Sequence, residues 1–354
     1  MRFNIYFYVA YPYYFPHFLP IGKVFQKHNH NVTYILSDKQ NSKNMEEIAK
    51  ENKLSYKFGS QHIFDKNVDI IFFAHVFDGI HKVNALSVFL CHGTGTKQCG
   101  FKKALSVYDV VLVEGSYRLK QFQRLYPKFK DKLYKVGYSK LDSIINITEQ
   151  DKDILFQKYN LDKNKKTILY APTFFPSSIE KMSDQFPEDF KNYNIIVKPH
   201  YISLERSRYK KQRKKFDIWR KYDNCKIMGL EEYNLIPFLT ISDIMISDES
   251  AAIFEFASLN KPVVINRFLK LRWSYYFNPK KLLARMDTDI DDYRKIGVNP
   301  KNYKEMLIAV EEELDDSTRY EKTRLLKAAD ICGDIDGKVS TRIMNVVLKL
   351  KEKQ

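Results

Sequence analysis

Three functional side chains follow the apolar segment 87–91, which is predicted to be a buried strand. They are His92, Thr94 and Lys97, separated by small residues. A histidine can act as a general base, a lysine can balance phosphate charge, and small residues leave backbone N–H groups accessible. The pattern predicts proton transfer beside an anion. The alternative is a tight turn with an ordinary hydrogen-bonded histidine.

Two more predicted strands end in similar chemistry. The strand at 167–171 is followed by Thr173, and the strand at 194–197 is followed by Lys198 and His200. A lysine and a histidine at one strand end suit anion stabilisation together with acid or base catalysis. The alternative for His200 is a histidine that caps a helix or lies in the core.

The segment 242–264 is the most informative part of the sequence. A predicted strand leads into Asp248, Ser250 and Ala251, where a helix is expected to begin. The N–H groups of a helix start can receive a phosphate, and Glu255 could accept both hydroxyl groups of a ribose. The alternative is that Ser250 caps the helix and that Glu255 is a surface residue.

These strand ends belong to two successive β/α alternations, which predict two Rossmann-like domains with parallel sheets. We place the first domain at 1–150 and the second at 151–337, followed by a C-terminal helix at 338–354. Ligands of open parallel sheets bind outside the carboxyl ends of the strands. The expected fold is therefore α/β, with the two sheets facing a central cleft.

Composition limits the partners and cofactors. The 354 residues include 59 Lys and Arg against 43 Asp and Glu, a net charge of +16, which favours nucleic acid, an anionic membrane or phosphate-rich molecules as partners. Neither the dinucleotide-binding glycine pattern nor a P-loop occurs, which argues against both of those folds. The four cysteines form no CxxC pair, so we expect reduced thiols in a cytosolic protein and no zinc site.

Two segments resemble a membrane span and a metal-binding motif, but the residues around them argue against both. Residues 3–22 have no charged side chain, but Pro12, Pro16 and Pro20 are expected to break any helix there. We therefore predict neither a membrane span nor an export signal. The acidic run 287–292 contains D-x-D spacing, but its polar setting predicts a solvated loop, so no metal is expected.

A basic run follows His200 and precedes the bulky residues Phe216, Ile218, Trp219 and Tyr222. Basic residues beside bulky aromatic groups can hold a protein on an anionic membrane surface, whereas a solvated helix face is the alternative. No signature of a nucleic-acid-binding fold is present, so nucleic acid is not an expected partner. The seven cations of this run are Arg206, Arg208, Lys210, Lys211, Arg213, Lys214 and Lys215.

In their order along the chain, these motifs resemble those of the CDP-glycerol glycerophosphotransferase family, whose members build teichoic acids and related capsule polymers. Residues 137–142 and 336–342 resemble two further motifs of that family, and His17-Phe-Leu-Pro resembles the first loop of GT-B glycosyltransferases. The other matching segments are His92-Gly-Thr with Lys97, Tyr170-Ala-Pro-Thr173, Lys198-Pro-His200, Asp248-x-Ser250, Phe254-Glu255 and Lys261-Pro262.

The resemblance implies a GT-B fold in which the first domain presents the acceptor and the second binds the donor. An acceptor hydroxyl would attack the β-phosphate of CDP-glycerol, or of a similar CDP-alditol, and release CMP, with no metal or other cofactor. His92 would be the general base, and His200 with Lys198 would balance the charge of the leaving group. The other expected substrate or nucleotide contacts are His17, Thr94, Lys97, Thr173, Asp248, Ser250, Ala251 and Glu255.

A lipid-linked or polymeric acceptor would place the protein in the cytoplasm, peripherally on the inner face of the cell membrane. The chain departs from the family pattern at 174–176, where an arginine is usual, and at Ala251, where a hydroxyl is lost. Two alternatives stay open. One is a GT-B glycosyltransferase or UDP-GlcNAc 2-epimerase-like enzyme, which would share Ser250 and Glu255. The other is a polyanion-binding or membrane-binding protein with a degenerate site.

Overall fold

A computed structural model describes residues 1–38, 42–94, 103–272, 275, 277–278 and 289–353. The chain divides into two compact units. Unit 1 contains the described residues of Met1–Thr94, Gly100–Ile145 and Ile331–Gln354, and unit 2 contains those of Asn146–Asp330. The division at 145/146 replaces the expected boundary at 150/151. Residues 331–337, which we assigned to the second domain, lie in unit 1 together with the C-terminal helix.

Each unit is built on one parallel sheet. The described strands are β1 (Asn4–Val9), β2 (Asn31–Leu36), β3 (Tyr56–Phe58), β4 (Ile70–Phe73), β5 (Leu86–Leu90), β6 (Val110–Val113), β7 (Leu133–Lys135), β8 (Thr167–Tyr170), β9 (Asn194–Val197), β10 (Cys225–Ile227), β11 (Ile244–Ser247) and β12 (Val263–Ile265). The seven strands of unit 1 have the order β3-β2-β1-β4-β5-β6-β7, and the five strands of unit 2 have the order β10-β9-β8-β11-β12. The expected α/β architecture with parallel sheets is confirmed.

The central strands are predictable because they are buried on both faces and are almost wholly apolar. No strand is predicted from the sequence at β3 or β10. Each has only three residues and lies at an outer edge of its sheet, so it has neither the length nor the continuous apolar character that marks a central strand.

Helices connect these strands. In chain order they are α1 (Phe15–Lys27), α2 (Ser42–Glu51), α3 (Ser116–Leu125), α4 (Glu149–Lys158), α5 (Phe186–Asp189), α6 (Tyr201–Glu205), α7 (Lys210–Trp219), α8 (Ile236–Ile241), α9 (Ala252–Ala257), α10 (Ile290–Tyr293), α11 (Tyr303–Asp315), α12 (Glu321–Cys332) and α13 (Val339–Lys351). No helix within these described residues combines the length and the apolar character that crossing a bilayer requires.

The expectation that prolines prevent a helix near the N-terminus is wrong. Pro16 lies in the first turn of α1, where a missing N–H costs nothing, and Pro20 lies inside the helix. Phe15, Phe18 and Phe25 of this helix are fully buried, so tertiary packing outweighs the hydrogen bond that Pro20 cannot make. The C-terminal helix α13 packs against α1 within unit 1.

The strand order places a reversal point in each sheet. In unit 1, β2 and β3 lie on one side of β1 and β4 to β7 lie on the other, so the strand order reverses between β1 and β4. In unit 2 it reverses between β8 and β11. Crevices outside the carboxyl ends of strands at such points are the usual ligand sites of open α/β sheets. The residues that follow β5 in unit 1, and β8, β9 and β11 in unit 2, are therefore the ones to examine.

Candidate active site

The His92 turn, residues 91–94, follows β5 at the carboxyl edge of the unit 1 sheet. The Tyr138 hydroxyl donates to the backbone oxygen of His92 at 3.1 Å. The imidazole of His92 is half-buried, and its ring centroid lies 4.9 Å from that of Tyr14. The turn is thus held by a side chain from a distant part of the chain. Thr94 is buried at its end, and Lys97 lies outside the described residues.

His17 lies in the same unit, in α1, and is fully buried. Burial, together with the nearby Lys140 and His92, lowers the pKa of His17 well below its usual value. The ring of Tyr138 meets the His17 ring edge-on at 5.1 Å, and no hydrogen-bond partner of His17 Nδ1 exists in the described part of the chain. A neutral imidazole therefore lies close to the His92 turn.

The segment 137–142 connects these groups. Besides Tyr138 it contains Ser139, whose hydroxyl donates to the backbone oxygen of His17 at 3.0 Å. At its end, Asp142 accepts the N–H groups of Val339 and Ser340 at 3.1 and 2.7 Å, at the start of α13. The two family-like motifs 137–142 and 336–342, about 200 residues apart in sequence, therefore contact each other within unit 1.

In unit 2, Asp248 follows β11 and is completely buried. Its carboxylate accepts four hydrogen bonds, from the Thr173 and Ser178 N–H groups at 3.1 and 3.2 Å and from the Ser177 and Ser178 hydroxyls at 3.1 and 2.6 Å. Burial raises the pKa of Asp248 to about 7, although these four bonds oppose the shift. The contacts of Asp248 position the loop 173–178 after β8. Its role as a nucleotide ligand stays a prediction.

Ser250 and Glu255 differ from the alternative interpretations given for them. The residue that caps α9 is Ala251 rather than Ser250, and the Ser250 hydroxyl lies 2.9 Å from that of Ser247. Glu255 is buried rather than exposed, with 3% of its surface accessible. A buried carboxylate in a six-residue helix is not a solvated surface group.

His200 and Lys198 follow β9, which is the neighbour of β8 in the sheet. His200 caps α6, because its Nδ1 accepts the Ile202 N–H at 3.2 Å, and its ring lies 4.8 Å from that of Phe174. The alternative of a helix-capping histidine is therefore observed, and this hydrogen bond determines which ring nitrogen can donate. When Nδ1 is an acceptor, the proton of the neutral ring is on Nε2.

The basic run differs in part from its expected role. Phe216 and Trp219 are buried in the unit 2 core, so they are not available to a membrane. Arg213 donates to three backbone oxygens around the end of α6, and Lys215 bonds the Met182 oxygen and pairs with Asp184. Four cations of the run are exposed, namely Arg208, Lys210, Lys211 and Lys214.

Asp287 of the acidic run lies outside the described residues. Asp291 pairs with Arg294 at 2.5 Å, and Asp292 pairs with Lys295 at 3.0 Å and also with Lys327. Across the described ranges, no three His, Cys, Asp or Glu side chains come together in a way that could hold a metal ion.

Sequence reasoning misses several residues that hold the site. Tyr138 and Lys140 lie inside a segment whose motif was noted, so that motif was a usable signal. Ser177 and Ser178 lie in a loop without any local pattern. Their role depends on the distant Asp248, and no pattern within the loop could have revealed it.

Two Rossmann-like units, with candidate functional residues at the carboxyl ends of their parallel strands, are the features of the GT-B fold. The family model of CDP-Glycerol:Poly(glycerophosphate) glycerophosphotransferase matches residues 76–349, and the chain belongs to this family. The match includes the His92 turn, the loop 173–178 and Asp248, so the expected family resemblance is confirmed.

Named relatives agree with this membership. A teichoic acid glycerol-phosphate primase of Bacillus spizizenii is 30% identical over 170 residues, which are 46% of this chain and 41% of that protein. A teichoic acid glycerol-phosphate transferase of Staphylococcus aureus is 25% identical over 276 residues, which are 73% of this chain and 65% of that protein. The chain thus spans less than two thirds of the length of either relative.

Solved structures with the same fold include the wall teichoic acid polymerase TagF, with a TM-score of 0.71 at 18% identity over 99% of this chain and 89% of that one. The S. aureus MnaA–UDP structure has a TM-score of 0.68 at 13% identity, over 99% of this chain and 97% of that one. At these identities the likeness shows the fold alone. It confirms the GT-B assignment and does not separate the two enzyme classes.

Proposed function

We propose that this chain transfers glycerol phosphate, or a related alditol phosphate, from a CDP-linked donor to a hydroxyl group of a lipid-linked or polymeric acceptor in wall or capsule polymer synthesis. The observation that carries the proposal is the arrangement of three adjacent strand ends in unit 2, within a chain of this family. Thr173 follows β8, Lys198 and His200 follow β9, and Ser250 follows β11. The relatives' names and the CDPG soak of a TagF variant support a CDP-linked donor.

In the proposed reaction, the acceptor oxygen bonds to the phosphorus that carries glycerol, while the bond from that phosphorus to the bridging oxygen breaks. CMP leaves with the electron pair of that bond. His92 removes the proton of the acceptor hydroxyl, which suits a neutral imidazole. Lys198 and the Nε2–H of His200 balance the charge that develops on the leaving phosphate. Ser250, Ala251 and Glu255 contact the nucleotide.

The four exposed cations Arg208, Lys210, Lys211 and Lys214 would hold the protein peripherally on an anionic membrane, at the cytoplasmic face. Charge is the main support for this part of the proposal, because the neighbouring Phe216 and Trp219 are buried. Replacing Lys210, Lys211 and Lys214 by glutamine should reduce binding to vesicles of phosphatidylglycerol. The matched control replaces Lys130, Lys163 and Lys295, which are also exposed. Equal binding by the two triple variants would contradict the membrane role of this run.

Donor identity is tested by calorimetry with CDP-glycerol, CDP-ribitol, CMP and UDP-GlcNAc. We expect the cytidine compounds to bind and UDP-GlcNAc not to bind. Binding of UDP-GlcNAc without any cytidine compound would overturn the proposal in favour of a nucleotide-sugar enzyme. His92→Ala should abolish turnover of CDP-glycerol and leave CMP binding nearly unchanged, and wild-type turnover in that variant would remove His92 from the base role.

A further inference from the structure

A buried ion pair lies beside the His92 turn. Arg118, in the first turn of α3, donates from Nε to Glu114 Oε1 at 2.7 Å. Only 5% and 2% of the surfaces of Arg118 and Glu114 are accessible. Removing two charges from water is costly, and such a pair often contributes little net stability compared with an apolar one. Its presence at the edge of the sheet therefore calls for a reason other than stability.

The contact that distinguishes this pair is with the turn itself. Arg118 Nη2 donates to the backbone oxygen of Gly93 at 2.5 Å. The preceding backbone oxygen, that of His92, accepts the Tyr138 hydroxyl. Two successive peptide groups around the catalytic histidine are thus held by side chains from two separate segments.

The planar guanidinium suits this contact. Its fixed fork of N–H groups reaches Glu114 with one nitrogen and Gly93 with another, whereas the single ammonium of a lysine has no such fork. Gly93 adds a second observation, because a Cβ built on it would meet no atom of the described residues, its chain neighbours apart, within 4 Å. At Gly93 the described contact that holds the turn is therefore the bond from Arg118.

We propose that Arg118, oriented by Glu114, is a positioning residue that fixes the His92 turn and thereby holds the imidazole for the transfer reaction. The second half of this statement rests on the proposed function. The first half concerns the turn alone and can be tested without any substrate.

The experiment compares Arg118→Lys with Arg124→Lys, an exposed arginine of the same helix that bonds only Gln121 among the bonds described for it. Hydrogen exchange of residues 91–94, followed by mass spectrometry, should rise about tenfold in Arg118→Lys, the change expected when about one hydrogen bond is lost. The kcat for CDP-glycerol should fall by about ten- to a hundredfold with little change in KM. Arg124→Lys should match the wild type in both.

Glu114→Gln is the second variant, since it keeps an acceptor for Arg118 and should show the same effects more weakly. Thermal unfolding and CMP binding to unit 2 identify variants that have failed to fold. A folded Arg118→Lys protein with wild-type exchange at the turn, or with raised exchange and wild-type kcat, would overturn the proposal. If the wild type turns over no CDP-alditol, the proposed function fails, and exchange at the turn alone decides the positioning role.

Discussion

The two units hold their functional segments in different ways. In unit 1, the His92 turn is fixed through two backbone oxygens by two unrelated side chains, Tyr138 and Arg118. In unit 2, a single carboxylate, that of Asp248, accepts four hydrogen bonds from the loop 173–178, which Gln212, Asn266 and Lys270 also contact. The difference predicts that one substitution in unit 1 removes one bond from the turn, whereas one substitution at Asp248 removes four bonds from the loop.

The largest effect is expected from Asp248→Ala. It removes the acceptor of four buried hydrogen bonds, and we expect a loss of about 3 kcal/mol or more in the free energy of unfolding. Denaturant unfolding measures this loss, and calorimetry should show that CDP-glycerol binding disappears. Asp217→Ala, at an exposed site on α7, is the control and should behave like the wild type. An Asp248→Ala protein within about 1 kcal/mol of the wild type would show that other contacts hold the loop.

A second buried carboxylate of unit 2, that of Glu313, allows the effect of the donors around Asp248 to be tested by comparison. Glu313 is fully buried on α11, and neither of its carboxylate oxygens has a hydrogen-bond partner in the described part of the chain. Burial raises the pKa of Glu313 to about 7, against the opposing influence of Arg319 and Arg324. Because the folded-state pKa lies above the unfolded value, this residue favours folding at low pH and loses that contribution as pH rises towards 7.

Glu313→Gln should therefore be more stable than the wild type at pH 8, by about 1 to 2 kcal/mol. The difference should shrink towards pH 5. Thermal unfolding from pH 5 to pH 8 measures it, with Glu312→Gln as the exposed neighbouring control. A difference that does not change with pH would mean that Glu313 does not titrate in this range. The pKa of Asp248 is also raised to about 7, so its contribution likewise falls as pH rises. We nevertheless expect Asp248→Asn to be less stable than the wild type at pH 8, because the amide nitrogen cannot accept the hydrogen bonds that one carboxylate oxygen accepts.

Two variants of His200 in unit 2 should separate its helix-capping role from its proposed role in turnover. His200→Ala removes the cap of α6 and should cost about 1 kcal/mol of stability. His200→Asn restores a capping acceptor and should recover most of that loss, while turnover of CDP-glycerol stays low in both variants because Nε2–H is missing. Thermal unfolding and steady-state kinetics measure the two effects. Full turnover in His200→Asn would assign this histidine to capping alone.

The smallest effect is expected from Tyr138→Phe in unit 1. It removes one of the two side-chain hydrogen bonds described for the backbone oxygens of the His92 turn, so we expect kcat to fall by about fivefold, equivalent to about 1 kcal/mol. Tyr134→Phe is the matched control, because its hydroxyl donates to the Asp131 oxygen away from the turn. If Tyr138→Phe lost as much turnover as His92→Ala, the turn would depend on this one hydrogen bond. The two units would then not differ in how many side chains hold the functional segment.

Much of the fold is predictable from local sequence. The predicted strand at 194–197 is observed at its predicted bounds as β9, and those at 87–91 and 167–171 are observed as β5 and β8 within one residue at each end. Apolar runs report strands directly, because a parallel strand is buried on both faces. The positions of His92, Lys198, His200 and Asp248 after strands follow from the same runs.

What these residues contact is not predictable in this way. Nothing near Asp248 in the sequence indicates that it accepts four hydrogen bonds from residues 173–178, about 70 positions earlier in the chain. The aromatic residues after the basic run were expected to reach a membrane, but Phe216 and Trp219 are buried in the core. A sequence pattern reports which type of side chain is present, whereas its direction depends on the elements that pack against it.

The sequence by itself therefore determined the class of fold, the strand ends that carry the functional residues, and the family. Those features depend on short-range periodicity and on motif order, which are readable along the chain. Only the tertiary structure decided how the site is held: Arg118 on Gly93, Tyr138 on His92, and Asp142 at the start of α13. Each of these contacts joins residues that are far apart in sequence, and hydrogen bonds between distant segments form only when the sheets have brought those segments together.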